Sequence, residues 1–174
     1  MALADMFLRV EGGKQGLIKG EVVQPDHLNE IEVTGWSWGM DGSSTAFGQA
    51  SARTSLQELV IHKRVDSAST ALMSALRNNE VIKKAVLSVR KAGGGAAVEY
   101  FHITIEKARL VSHRVGSAGA PGAHAPLGAG AASGPELHEE VRFAFWKVQV
   151  EYRPQDPTGG GRGVSTFETE VQQA

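Results

Sequence analysis

Along most of the chain, apolar residues recur at every second position. The sets are Met6, Leu8 and Val10; Ile31 and Val33; Leu59 and Ile61; Ala85, Leu87 and Val89; and Phe101, Ile103 and Ile105. A period of two puts each set on one face of a β-strand, so the chain reads as mainly β. Between two of these runs, "RKAGGGAAVEY" (Arg90 to Tyr100) holds three glycines, which tolerate positive φ and predict a hairpin between antiparallel strands. Only "DSASTALMSALRNN" has helical spacing. Asp66 or Ser67 can cap its first amides, and Ala68, Ala71, Leu72, Ala75 and Leu76 make one apolar stripe. Asn78 or Asn79 supplies a left-handed stop. One short helix among many strands predicts a small antiparallel β-barrel or sandwich with the helix packed at its side.

Two stretches break the alternation. In "EIEVTGWSWGM", Ile31 and Val33 are odd while Trp36, Trp38 and Met40 are even. A β-bulge at Gly35 would bring all of them to one core face; without one, the strand is apolar on one face early and on the other late. In "EEVRFAFWKVQVEY", Val141, Phe143 and Phe145 are odd while Trp146, Val148, Val150 and Tyr152 are even, and no glycine is at hand for a bulge. This second stretch is therefore expected to be one strand, apolar on both faces, with one face in the core and the other against the helix or another subunit.

At 174 residues the chain fits one domain spanning 1–174. The Gly/Ala/Ser/Pro-rich run 116–135 reads as a flexible surface loop, and 155–163 as a linker to a possible last edge strand in "VSTFETEV". Hydrophobic residues at 41% and charged residues at 21% are ordinary for a globular protein. Lys plus Arg number 18 against 19 Asp plus Glu, which gives no electrostatic reason to expect a nucleic-acid or membrane partner. The start "MALADMFLRV" has no basic leader and alternates like a strand, so no cleaved signal is expected. No apolar run approaches the ~20 residues that span a bilayer.

The absence of cysteine excludes disulfides, thiolate catalysis and cysteine-ligated metals. The six histidines are scattered, and "HEEVR" at His138 lacks the second histidine of a zincin motif, so no metal site is expected. Glu139 and Glu140 fall on opposite faces of a strand and read as solubilising charges at a loop edge. No Gly-x-Ser-x-Gly elbow is present, and Gly93 to Gly95 lead into a strand and not a helix, so no phosphate cradle forms there. The residues thus nominate no catalytic group and no cofactor. Trp36 and Trp38, one residue apart in a strand, would share a face. They suit either a packed surface or, as the alternative, a carbohydrate platform on a monomeric binding module.

In order and in rough spacing, "DMFLRVEG", "IKGE" (Ile18 to Glu21), "IEVTGWSWGM", "LVIHKRVDSAST", "LSVRKAGG" and "FAFWKVQVEYRPQ" resemble the haemolysin-coregulated protein (Hcp) family, from Asp5 to about Gln155. The resemblance implies a phage tail-tube-like β-barrel that assembles as a homohexameric ring. Stacked rings form the inner tube of the bacterial type VI secretion system, with sheath, spike and effector proteins as partners and effectors carried in the lumen. It also implies residence in the bacterial cytoplasm followed by secretion without a cleaved signal, and no enzyme activity. Carried over as fold or assembly positions are Trp36, Trp38, Gly39, Tyr152 and Pro154; Phe145, Trp146 and Val148 join them from the second phase slip. The family's helix commonly opens with proline in its first turn, where this chain has Thr70.

Overall fold

A computed structural model describes residues 4–42, 54–91, 98–117, 136–154 and 163–171. The 118–135 part of the glycine-rich run and 155–162 of the expected linker lie outside the described residues. The strands are β1 (Ala4–Gly12), β2 (Gly16–Ile18), β3 (Ile31–Glu32), β4 (Gly35–Ser37), β5 (Met40–Gly42), β6 (Thr54–Leu56), β7 (Leu59–Arg64), β8 (Ile82–Lys91), β9 (Val98–Ser117), β10 (Leu137–Ala144), β11 (Lys147–Tyr152) and β12 (Ser165–Glu170). Helix α1 covers Ser69–Arg77, and a 3-10 turn covers Pro25–His27.

All strand pairings are antiparallel, and the main sheet runs β2-β1-β8-β9-β10-β7-β4. β11 lies along the first part of β9 and carries β12 on its far side. β8 and β9 pair antiparallel with Lys91 opposite Val98, while Gly93 to Gly95, on which the hairpin was expected, lie outside the described residues. The two ends of the sheet path are brought together by one segment. β3 pairs with β1 (Leu8 opposite Ile31), and β4, two residues later, pairs with β7 (Trp36 opposite Ile61). The result is sandwich-like and barrel-like, around a core of Leu8, Val10, Ile31, Leu59, Ile61, Leu87, Ile103, Ile105, Val141, Phe143 and Val148. Helix α1 packs against β9 and delivers Leu72 and Ala75 to this core.

The helix ends follow from local chemistry. Asp66 Oδ1 accepts the Ala68 amide at 3.0 Å, while Ser69 Oγ accepts the Asp66 amide at 3.0 Å, so two free donors are satisfied before the first turn closes. Asn79, at φ 49°, is the left-handed stop, and Asn78 keeps a negative φ.

Both phase slips have causes other than those expected. At Thr34 the chain changes partner. The Val33 amide donates to Met6 O in β1 at 3.0 Å, and the next amide, Thr34, donates to His62 O in β7 at 2.8 Å. No bulge at Gly35 is involved, and Met40 leaves the core altogether for the β5–β6 pair, where it is exposed. In the second stretch, β10 and β11 are separate strands divided at Phe145–Trp146, and not one strand apolar on both faces. The division faces Lys107 of β9, at φ 49°. There β9 also changes phase, from buried Ile103 and Ile105 to buried Ala108 and Leu110. The bend therefore needs no glycine in β10–β11, because the residue with positive φ sits on the neighbouring strand.

Candidate functional site

The eight residues nominated by sequence fall into two groups. In the first, Trp36 packs against the core and stacks on Phe101 with centroids 5.4 Å apart at 18°. Trp38 also packs on the core. Gly39 ends this group: its carbonyl accepts the Gln57 amide at 2.9 Å, and a Cβ there would come to 3.0 Å from Gln57 Oε1. Here β4 passes into the β5–β6 arm. With one indole stacked on Phe101 and the other packed on the core, the pair is a packing surface and does not form an open carbohydrate platform.

The second group follows the β10–β11 bend. Phe145 packs on the core, Val148 is fully buried, and the Trp146 amide donates to Glu106 O at 3.2 Å while its carbonyl accepts the Val171 amide at 2.7 Å. Tyr152, 46% exposed, closes β11 opposite Phe101, and Pro154 follows, half-buried. Phe101 is thus the neighbour that the two groups share.

A further cluster was not nominated. Glu139, expected at a loop edge, lies inside β10 opposite Lys63 of β7, and both side chains are fully buried. Lys63 Nζ donates to Glu139 Oε2 at 2.5 Å, to Asp66 Oδ1 and Arg64 O at 2.8 Å, and to Ser69 Oγ at 3.2 Å. Ser69 Oγ donates to Glu139 Oε2 at 2.8 Å, so α1, β7 and β10 meet at one carboxylate. His113 Nε2 of β9 stands 3.2 Å from Glu139 Oε1. Burial alone would raise the pKa of Glu139. The contacts from His113, Lys63 and Ser69 outweigh it and hold the carboxyl at about 2, against an ordinary 4.5. The signal was in the alternation: Lys63 shares the inward parity of Leu59 and Ile61, and Glu139 that of Val141 and Phe143. Glu140 does face the other way, where it accepts from Arg142 Nε at 2.8 Å.

A second buried carboxylate anchors the β1–β2 turn. Glu80 Oε1 accepts the Lys14 and Gln15 amides at 2.7 and 2.9 Å, and Glu80 Oε2 accepts Gln15 Nε2 at 2.8 Å. Burial opposes ionisation here too, yet these donors keep its carboxyl below the usual range. Among the described residues no group of three or more His, Asp or Glu is arranged to hold a metal ion, and no helix is long and apolar enough to cross a membrane. The strongest polar contacts bind one element of the fold to another, and the one hydroxyl among them, Ser69, is itself buried.

The result is a β-structured subunit whose buried ion pairs and hydrogen bonds tie strand to strand and strand to helix. Residues 7–152 match the family described as "Type VI secretion system effector, Hcp", and the chain belongs to the Hcp family of type VI secretion proteins. It is 32% identical over 162 residues to protein hcp1 of Pseudomonas aeruginosa, covering 91% of this chain and 89% of that protein. Among solved structures, Hcp1 from Salmonella typhimurium aligns over 97% of this chain and 95% of its own, with 27% identity and a TM-score of 0.67. The structure of a type six secretion system protein shares the fold at a TM-score of 0.76 with 22% identity, covering 97% and 96% of the two chains.

Proposed function

We propose that this protein is the ring-forming subunit of a type VI inner tube, a homohexamer whose rings stack and whose lumen carries effectors. The observation that carries this reading is family membership over most of the chain, joined to 32% identity with protein hcp1. Its place is the bacterial cytoplasm and then, by way of the apparatus, the outside of the cell; its role is structural and not enzymatic, in one domain of 174 residues. The open geometry of β12 supports association. Among the described residues it pairs only with β11, and Phe167 and Tyr152 stand 42% and 46% exposed on these two strands. A ring needs heterologous contacts, in which one surface meets a different surface of the next copy. Tyr152 is the nominated position exposed for such a contact, whereas Trp36, Trp38, Phe145 and Val148 act by shaping the subunit.

Absolute mass by light scattering on a sizing column, across a concentration series, tests the proposal. Particles of about six subunits support the ring. A stable monomer near 18.5 kDa at every concentration would overturn it.

A further inference from the structure

Segment 20–30, between β2 and β3, crosses the outer face of the sheet. Its backbone bonds are made within itself: Gly20 N to Asn29 O, Asn29 N to Val22 O, Val22 N to Glu30 O and Glu30 N to His27 O, all at 2.9 to 3.2 Å. Glu21 Oε1 ties the start of the segment to the Ser67 amide ahead of α1 at 2.9 Å, and His27 is the side chain that seats the rest on the sheet. His27 stacks on Phe7 with centroids 4.1 Å apart at 10°, and so buries a phenylalanine that points away from the core on β1. The imidazole lies between two carboxylates. Nδ1 is 2.8 Å from Glu30 Oε2 in its own segment, and Nε2 is 2.8 Å from Glu99 Oε1 at the start of β9. The Nε2 approach is bent from hydrogen-bond alignment, and Glu99, a third exposed, has room to straighten it. Glu99 Oε2 in turn takes His102 Nε2 at 2.6 Å.

The remaining charged groups around this ring are few. Asp26 precedes it in the 3-10 turn, Glu32 of β3 stands opposite Phe7, and Arg90 of β8 lies over the Phe7 ring at 4.7 Å while pairing with Asp5 of β1. A neutral imidazole has one donor and one lone pair. Between two carboxylates, the neutral ring must turn that lone pair on one of them, whereas the doubly protonated ring donates to both.

We propose that His27 is a proton-operated latch, which holds segment 20–30 on the sheet when its ring carries two protons and releases it when the ring carries one. Closed, it covers Phe7. Open, it uncovers Phe7 and frees a segment that already presents Val23 and Leu28 to solvent. The latch is independent of whether the protein forms rings.

The test is hydrogen exchange and histidine 15N spectroscopy on the whole protein from pH 5 to 9, with exchange corrected for its intrinsic rate. As pH rises and the His27 ring passes from two protons to one, the segment loses the packing that keeps its internal bonds closed, and protection of the Val22, Asn29 and Glu30 amides should fall about tenfold, the size expected for losing one hydrogen bond to a charged group. Both changes should share one midpoint. His27→Gln should leave the segment weakly protected at every pH. Glu99→Gln discriminates further, because its amide can donate to the lone pair of a neutral His27 and should keep the segment protected at alkaline pH. Protection that stays flat through the ring's titration, or follows His102 instead, would overturn the latch. So would a pH dependence that survives His27→Gln, or a Glu99→Gln variant that opens at alkaline pH as the parent does.

Discussion

Lys63 Nζ stands 2.5 Å from Glu139 Oε2 with both side chains wholly out of water, and this contact ties β7 to β10 beside the first turn of α1. Removing Glu139 takes the buried counter-charge from Lys63 and leaves it only Asp66, at the edge of the cluster. Glu139→Ala should therefore destabilise the subunit by about 3–5 kcal/mol in chemical denaturation. The double variant Lys63→Met, Glu139→Leu should recover much of that loss, since it strands no charge. A double variant as unstable as the single would show that the remaining partners, Ser69, Asp66 and His113, need the ions themselves.

The same carboxylate sets the acid limit. With its folded value near 2 against an ordinary 4.5, Glu139 contributes stability that is present above the ordinary value and is lost as pH falls towards 2. Over that interval the loss is on the order of 3 kcal/mol. Melting temperature should slope downward between pH 4.5 and 2, and Glu139→Gln should flatten much of the slope while lowering the plateau at neutral pH.

Gly20 is held against the turn into β3, where an added Cβ would overlap the Glu30 carbonyl and lie 2.8 Å from the Ile31 Cα. Backbone on that side cannot step aside cheaply. Gly20→Ala should cost roughly 1–3 kcal/mol, measured by thermal melting, whereas Gly42→Ala, with open space around its Cα, should cost far less.

Trp36 and Tyr152 separate shape from association. Trp36→Ala removes an indole stacked on Phe101 and packed on the core, and should lower stability by roughly 3 kcal/mol. Tyr152→Ala removes a side chain that is nearly half exposed and should stay within about 0.5 kcal/mol of the parent. If Tyr152 lies at a subunit contact, its loss shifts mass from ring to monomer in light scattering without changing the monomer's melting. An unchanged ring would remove it from the interface.

Where the physics is local, the sequence was readable: the alternation of β1, β7, β8 and β9 and the stripe of α1 each depend on neighbours in the chain. What it concealed was long-range. Whether Thr34 continues a strand or changes partner depends on Met6 and His62, which lie far away in sequence. The β10–β11 slip depends on the φ of Lys107, a residue with nothing in its chemistry to announce a left-handed backbone. Lys63 and Glu139 are an intermediate case. Each keeps the inward parity of its strand, but a lone charge at an inward position looks like an error of register until its partner is found 76 residues away.

β9 runs unbroken for 20 residues and turns at Lys107, with β8 and β11 on its first part and β10 on its second. A shared strand of this kind couples the unfolding of everything that pairs with it. Opening the Ile103 end strips hydrogen bonds from β8 and β11, and opening the Val115 end strips them from β10. The slowest-exchanging amides on the two sides of Lys107 should therefore be released together, in a single cooperative event, so that the subunit is lost as a whole and not one sheet at a time.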